Sequence, residues 1–167
     1  MSTDAPDRLS GLLPWTRRCF VCGEANPHGL QQRARVEDGR VIIRYVPRRE
    51  DLGYRDIVHG GIGMTLLDEV MTWAAIIHRG GPCVAADIHV RLLGPMRAQT
   101  TVEVEGHVTR GGTRLILTEG IIRTEDGTAL MQAEGKYMPM TDEEALLCRE
   151  DFVDAPGTIP ISDILPE

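Results

Sequence analysis

A long apolar segment at residues 60–78 constrains the fold of this chain more than any other feature. Its apolar side chains occur almost all round the helix that their spacing predicts, instead of along one stripe. A helix of this kind must be surrounded by other structure. Asp68, Glu69 and Thr72 interrupt the apolar run and residues 80–82 (Gly-Gly-Pro) end it, so we expect a buried core helix that is too short for a membrane span.

The segments on both sides of this helix are extended. Before it, an Asp-Gly turn at residues 38–39 separates two extended runs, which predicts a hairpin. After it, alternating strands are joined by short glycine turns, which is typical of an antiparallel sheet. We therefore predict an α+β fold in which five or six antiparallel strands wrap one long central helix. The predicted strands are residues 30–36, 40–46, 84–93, 101–109, 113–123 and 128–138.

The chain length of 167 residues suits one domain with its own core. We expect a flexible N-terminal arm at residues 1–14, the folded domain at residues 15–140, and an acidic tail with a short helix at residues 141–167. The N-terminus lacks the basic-then-apolar order of a signal peptide, so we expect a cytoplasmic protein.

The net charge of −7 argues against nucleic acid as the main partner, because phosphate backbones are bound by basic faces. Nor do we expect a membrane partner. Up to residue 140 the chain is nearly neutral and rich in arginine, with Lys136 as its only lysine. Arginine binds phosphate groups well, so a phosphate-bearing ligand stays open beside a general preference for arginine over lysine in the genome.

Four cysteines are present, at positions 19, 22, 83 and 148. Structural disulfides are not expected in a cytoplasmic protein. The Cys19-x-x-Cys22 pair is half of a zinc site, with His28 as a possible third ligand and no second pair at the usual spacing. We therefore favour a structural turn and predict no bound metal, with a zinc or redox module as an alternative.

The residues before the helix and its acidic residues suggest acyl chemistry. A Val58–Gly61 turn opens into the helix, and a helix start offers free backbone N–H groups that can hold an oxyanion. A carboxylate inside an apolar helix is costly unless something uses it. At 100° per residue, Asp68 lies on the small, partly polar side of the helix, together with Gly61, Met64, Thr65, Thr72 and Ala75.

Glu69 falls on a different side of the predicted helix, beside Ile62, Trp73 and Ile76. Its expected role is an ion pair with one of the many arginines. Asp68 is thus the better candidate for chemistry.

Four segments together resemble the hotdog-fold acyl-CoA thioesterases, in particular the branch of the phenylacetate-pathway and 4-hydroxybenzoyl-CoA thioesterases. They are Cys19–Leu30 (with its Cys-x-x-Cys-Gly, Asn-Pro and Gly-Leu pairs), Ile57–Ile62, Thr65–Glu69 and His89–Pro95. The resemblance covers about residues 15–140. It implies hydrolysis of an acyl-CoA or aryl-CoA thioester to the free acid and coenzyme A, with no cofactor apart from the coenzyme A of the substrate.

The resemblance also implies roles for single residues. The Gly60 N–H would polarise the thioester carbonyl, Asp68 would act as nucleophile or as the base that activates water, and His59 would support the loop or the water. The expected substrate-binding residues are Gly61, Met64, Thr65, Thr72 and Arg91. Arg97, Arg110 and Arg114 are further candidates for the coenzyme A phosphates.

The spacing of Gly60 and Asp68 predicts more than one subunit. Eight residues of helix separate them by about 12 Å, which is too far for both to act on one carbonyl. A two-fold dimer with antiparallel helices would bring Gly60 of one chain to Asp68 of the other. The resemblance implies the same arrangement, as a homodimer or a dimer of dimers.

Two positions depart from the pattern of the resembled family. Some relatives have Ser or Thr where this chain has Ala86, and Asn or Gln where it has Gly53. The main alternative is therefore a hotdog protein that binds acyl groups or acyl-CoA without hydrolysing them. A hotdog dehydratase or hydratase is a further alternative, although its motifs are not found around His59.

Overall fold

The computed structural model describes residues 9–166, so the first eight residues of the expected N-terminal arm lie outside it. A twenty-residue helix, α1, is wrapped by a seven-stranded antiparallel sheet in the order β1-β3-β4-β8-β9-β10-β7. Two small sheets pair β5 with β6 and β2 with β11. The elements are β1 (Gly11–Leu12), β2 (Trp15–Thr16), β3 (Arg35–Glu37), β4 (Arg40–Tyr45), β5 (Leu52–Tyr54), β6 (Ile57–Val58), α1 (Gly60–Arg79), β7 (Cys83–Leu92), β8 (Val102–Arg110), β9 (Ile116–Thr124), β10 (Ala129–Pro139), α2 (Asp142–Arg149), β11 (Phe152–Val153) and α3 (Ile161–Ile164).

The predicted α+β architecture is confirmed, with one sheet around one central helix. The main sheet has seven strands, so the expected five or six is wrong. The extra strand is β1, whose two residues pair with β3 and fall in the segment expected to be a loose arm. Next to it, Leu13 is fully buried and its N–H donates to the Ala34 carbonyl at 2.9 Å. A single apolar anchor among polar residues and prolines has no periodicity from which a strand could be predicted.

The C-terminal segment also packs more closely than a peripheral tail would. The predicted short acidic helix is α2, whose N-terminus is capped by Thr141. Beyond it, β11 pairs with β2, and the Phe152 ring meets the Trp73 ring edge-on at 5.7 Å between centroids. Ile164 and Leu165 are buried in the core. Residues 11–13 and 152–165 thus both contribute to the domain that α1 and the main sheet form.

Helix α1 is long and apolar enough, by length and composition, to cross a membrane, which corrects the expectation that it would be too short. However, 56% of its most apolar window is buried inside the structure. Its large side chains, such as Leu66, Leu67 and Met71, are fully buried in the core that the sheet encloses. The helix is thus the core helix that its all-round apolar pattern predicted.

Small residues in the middle of the sheet let α1 approach closely. Gly106 of β8 lies opposite Gly120 of β9, which in turn lies opposite Ala133 of β10. A Cβ atom at Gly106 would lie 2.8 Å from Cγ2 of Val70 and 2.9 Å from the Val70 backbone carbon. These contacts are shorter than van der Waals distances, so this position requires glycine. The glycines in turns predicted where the strands end. The row of small residues inside the strands, Gly106, Gly120 and Ala133, was not predicted.

We expect Gly106→Val to lower the free energy of unfolding by about 1–3 kcal/mol, because the added side chain must displace the helix backbone. Urea denaturation of the purified variant measures this change. Gly81→Ala is the matched control, since a Cβ atom there would meet only Cγ of Arg79 at 4.0 Å. Equal stability of both variants would contradict the close contact between helix and sheet.

Candidate active site

The turn before α1 leaves a backbone donor at the helix start. Strand β6 is held by the Val58 N–H, which donates to the Met96 carbonyl at 3.0 Å. His59 is the N-cap: its Nδ1 accepts the Gly61 N–H at 3.0 Å and its carbonyl accepts the Ile62 N–H at 2.9 Å. Within residues 9–166, the Gly60 N–H has no hydrogen-bond acceptor. It is therefore available to a ligand.

Gly61 allows the histidine cap to form. A Cβ atom at this position would lie 2.9 Å from Nδ1 of His59, in the place of the capping contact. Because Nδ1 accepts a hydrogen bond, the ring of a capping His59 carries its proton on Nε2. The His-Gly-Gly sequence is thus explained by a side-chain cap that sets the direction of the first helical N–H groups.

A buried carboxylate fixes the chain behind this turn. Asp51 accepts hydrogen bonds from the Tyr45 hydroxyl, from the Arg48 N–H at 2.7 Å and from Arg48 Nη2 at 2.8 Å. Its own carbonyl accepts the His59 N–H at 2.8 Å. Burial alone would raise the pKa of Asp51, but the bonds from Arg48 and Tyr45 outweigh it, so the pKa lies below its ordinary value. Asp51 is thus ionised and connects strand β4 to the His59 turn.

The Asp68 carboxylate is oriented from two directions. The Tyr137 hydroxyl donates to Oδ1 of Asp68 at 2.8 Å, and the Thr72 hydroxyl donates to the same oxygen at 3.2 Å. Tyr137 is fully buried, and burial, followed by the charge of Asp68, raises its pKa well above the ordinary value. The phenol therefore remains a donor. Asp68 itself is only partly buried, so its second oxygen can face a ligand.

Next to Tyr137 the sheet is irregular. In the pairing of β10 with β7, Tyr137 lies opposite Ala85 and Lys136 lies opposite Asp87, so Ala86 is an extra residue on β7. Ala85 and Ala86 are both exposed. Bulges of this kind are common beside active sites, where they change the direction of a strand. Here the bulge places two small exposed residues next to the tyrosine that orients Asp68.

The structure brings most of the predicted site residues together on one helix. Gly60, Gly61, Met64, Thr65, Asp68 and Thr72 all belong to α1. The Thr65 hydroxyl donates to the Gly61 carbonyl at 2.8 Å, and Met64 is exposed. The Thr72 hydroxyl binds Asp68, so it holds the acid in place. Gly60 and Asp68 lie eight residues apart on a continuous helix, which gives the separation of about 12 Å that the sequence predicted.

Arg91 lies apart from the other predicted site residues. On β7, Val90 and Ile88 face the core, and Arg91 points to the outer face of the sheet, opposite the exposed Gln132. There it lines a shallow cavity of about 430 Å³ together with charged and histidine side chains, among them Arg40, His89, His107 and Arg123. The structure therefore does not place Arg91 beside Asp68 of the same chain, and its contact with substrate stays a prediction.

The expected ion pair between Glu69 and an arginine is wrong for the part of the chain described. The Glu69 carboxylate accepts the Trp73 Nε1–H at 3.1 Å and the Cys19 thiol at 3.6 Å. Loss of hydration in this packed environment raises the pKa of Glu69 to about 8. The prediction failed because the partner comes from the N-terminal loop, fifty residues away in sequence.

Tyr137 and Asp51 are the site residues that sequence reasoning missed. Tyr137 has the same strand parity as the buried residues Met131 and Ala133, so its inward orientation was readable from the alternation of β10. Its partner Asp68 was not readable, because that contact depends on how α1 lies against the sheet. Asp51 gave no signal, since it belongs to a charged irregular segment.

We expect His59→Ala to lower the free energy of unfolding by about 1 kcal/mol, because the Gly61 N–H loses its cap. His59→Asn, which restores a good N-cap residue, is the matched comparison and should lose only a few tenths of that amount. Urea denaturation of both variants measures the difference. Equal destabilisation by alanine and asparagine would contradict a capping role for the side chain.

Known proteins that are similar to this chain in sequence or structure are thioesterases. Residues 56–131 match the family model of the thioesterase superfamily. Human acyl-coenzyme A thioesterase 13 is 27% identical over 100 residues, which cover 59% of this chain and 71% of that protein. The crystal structure of a thioesterase superfamily protein aligns with a TM-score of 0.68 at 27% identity. The alignment covers 73% of this chain and 60% of that chain, so this chain spans less than two thirds of its length.

Another solved structure, at a lower sequence identity, is similar to this chain in its fold alone. A hypothetical thioesterase from Streptococcus pneumoniae, crystallised with coenzyme A, aligns with a TM-score of 0.58 at 19% identity, over 62% of this chain and 82% of that chain. The segment that matches the family model, residues 56–131, contains the His59 turn, helix α1 and strands β7 to β9. Residues 56–131 of this chain are therefore similar to the thioesterase superfamily, and the chain has the hotdog fold.

Proposed function

We propose that this protein hydrolyses the thioester of an acyl- or aryl-coenzyme A to the free acid and coenzyme A. The observation that carries the proposal is the pair of groups on α1: an unoccupied Gly60 N–H at the helix start and an Asp68 carboxylate oriented by Tyr137. The N–H group and the positive end of the helix stabilise the oxyanion that develops on the thioester carbonyl. Asp68 attacks the carbonyl carbon or activates water for that attack.

The two groups act in one site when two chains combine. Strand β7 ends the main sheet, so the described chain leaves one of its edges unpaired over ten residues. Long exposed edges are usually covered, and apolar side chains at both ends of β7, Val84 and Leu92, are exposed. Pairing of two β7 edges about a two-fold axis makes the two α1 helices antiparallel. Gly60 of one chain then approaches Asp68 of its partner.

The β7 edge leaves room for a thioester to enter, because Ala85 and Ala86 are small and exposed. Leu92 lies at the start of α1, where a Cβ atom on Gly60 would meet its Cδ1 at 3.6 Å. Ala85 and Ala86 lie at the other end, near Tyr137. A homodimer, or a dimer of dimers, would enclose the acyl group between the two β7 strands and the two helices. Arg91 and Arg97 are the arginines proposed for the coenzyme A phosphates, and no separate cofactor is invoked.

The decisive experiment is a substrate panel. Purified protein is incubated with acetyl-, hexanoyl-, palmitoyl-, phenylacetyl- and 4-hydroxybenzoyl-CoA, and the released thiol is measured with a colorimetric reagent. Hydrolysis of at least one thioester well above an Asp68→Asn blank supports the proposal. It would also say whether the acyl group is aliphatic or aryl, and hence whether the resemblance to the phenylacetate-pathway branch extends to substrate.

Binding without turnover is the outcome that overturns hydrolysis. If no thioester is cleaved above the blank while calorimetry shows binding of acyl-CoA, the protein is an acyl-CoA-binding hotdog protein. Light scattering gives the oligomeric state in the same buffer. A stable, active species at the single-chain mass of 18.4 kDa would contradict the shared site.

A further inference from the structure

Three side chains of metal-ligand type meet around Glu69, the residue that follows Asp68 on α1. Cys19 and Cys22 come from the loop after β2, and Glu69 comes from the middle of α1. One ligand atom from each lies within 4.8 Å of the others, and Cys19 Sγ is 3.6 Å from Oε2 of Glu69. The proposed hydrolysis does not use any of these three residues.

Cys19 and Cys22 lie in a closed turn whose backbone N–H groups point at the Cys19 sulfur. Cys19 Sγ accepts N–H groups from Val21 at 3.3 Å and from Cys22 at 3.5 Å. The Gly23 N–H closes the turn on the Cys19 carbonyl at 2.9 Å. A Cβ atom on Gly23 would lie 2.5 Å from backbone atoms of Cys19, so glycine is required there. Donors aimed at sulfur are the kind of outer contact that orients metal ligands.

The carboxylate is oriented in the same way. The Trp73 Nε1–H donates to Oε1 of Glu69 at 3.1 Å, which leaves Oε2 facing Cys19. Trp73 itself is buried and packs against Phe152, so its indole is fixed. The tryptophan thus holds one carboxylate oxygen and presents the other to the thiols.

We propose that Cys19, Cys22 and Glu69 bind a zinc ion, with a fourth position for water. Zinc prefers thiolate and carboxylate ligands in a tetrahedral arrangement. At bond lengths of about 2.3 Å to sulfur and about 2.0 Å to oxygen, the tetrahedral angle separates the two ligand atoms by about 3.5 Å. The separation of 3.6 Å between Cys19 Sγ and Glu69 Oε2 fits this geometry.

A metal here would connect the Cys19–Leu30 loop to the middle of α1. Val21, Cys22 and Leu30 bury the Cys19–Leu30 loop against the domain, and Glu69 lies one residue after Asp68 on α1. Cys19 is partly exposed, which gives the ion a path of entry. The ion would fix the loop to the central helix, in contrast to the unliganded turn that the Cys-x-x-Cys spacing alone favoured.

The test uses the full chain, purified from zinc-supplemented medium without chelators, and elemental analysis of its metal content. We expect about one equivalent of zinc per chain. Cys22→Ser should lose the metal, and Glu69→Gln should weaken it at least about tenfold. Cys148→Ser and Glu103→Gln, which alter residues outside the cluster, should keep the wild-type content. In chelator-treated wild type, Co²⁺ should produce the charge-transfer band of a thiolate ligand, whether or not the variants fold.

Thermal unfolding provides a second readout. At a hundredfold excess of free Zn²⁺ over its Kd, the wild-type Tm should rise by about 5–10 °C relative to the chelated protein. The proposal is overturned if the wild type holds no zinc and gives no cobalt band. It is also overturned if Cys19 and Cys22 form a disulfide in air in place of binding metal. None of these measurements depends on thioesterase activity.

Discussion

Asp68→Asn is expected to lower kcat by about 10²–10⁴-fold, since asparagine is neither a base nor a carboxylate nucleophile. The substitution keeps the shape of the side chain and an oxygen that can accept from Tyr137 and Thr72. Stability and substrate binding should therefore change little, and KM should stay within a few-fold of the wild-type value. Initial rates with the best thioester of the panel measure the loss. Asp142→Asn, at an exposed position on α2, is the matched control.

Gly60→Pro provides the complementary defect in the same site. Proline removes the backbone N–H, and it is well accepted at the first position of a helix. His59 has φ −59° and ψ 130°, which is the extended conformation required before proline. A Cβ atom at Gly60 meets only Leu92 at an ordinary distance. The variant should therefore fold and yet lose the oxyanion donor.

Mixing the two inactive variants tests the shared site directly. In a dimer formed from one Asp68→Asn chain and one Gly60→Pro chain, one site has both defects and the other has neither. Random exchange at equal amounts should therefore restore about a quarter of the wild-type activity. Mixtures of each variant with itself give the background. If exchanged mixtures recover no activity although light scattering shows mixed dimers, Gly60 and Asp68 do not form one site across the interface.

The helix and strands of this fold were readable from local patterns. The all-round apolar run at residues 60–78 predicted α1 to within one residue of its end, because Gly80, with φ 69°, stops the helix. The glycine turns predicted the long strands β7 to β10 to within a few residues. The short strands β1, β2 and β11 were not readable, since two-residue strands have no period. They form only through pairing with distant segments, β1 with β3 and β2 with β11.

The candidate site shows the same difference between local patterns, which could be predicted, and long-range contacts, which could not. His59, Gly60 and Asp68 belong to one local motif, so the sequence alone could name them. Tyr137 lies 69 residues from Asp68 in the chain, and Cys19 lies 50 residues from Glu69. Contacts at such separations depend on the packing of α1 against the sheet and the N-terminal loop. Glu69 was accordingly predicted to form an ion pair with an arginine. In the folded chain its carboxyl group lies beside the thiols of Cys19 and Cys22 and the indole of Trp73.

Asp51→Asn is expected to lower the free energy of unfolding at neutral pH by about 2–3 kcal/mol. The carboxylate is buried at 3% exposure and receives the Tyr45 hydroxyl and three groups of Arg48. An amide keeps one accepting oxygen but places an NH2 group against the donors that face the other, so part of this set of hydrogen bonds is lost. For a chain of this size the loss corresponds to a Tm decrease of about 4–12 °C, which calorimetry measures. Asp56→Asn is the matched control, because Asp56 is exposed and its φ of 58° suits asparagine.

The same substitution should change how stability depends on pH. Since the folded-state pKa of Asp51 is lowered, its ionised form contributes stability fully above the unfolded-state value of about 3.9, and this contribution is lost as pH falls through the folded-state pKa. The free energy difference between wild type and Asp51→Asn should therefore be largest at neutral pH and shrink as the pH falls from about 5 to the acid limit of folding. Urea denaturation at a series of pH values measures it. A difference that stays constant with pH would mean that Asp51 does not act through its charge, and the support for the His59 turn would then come from packing alone.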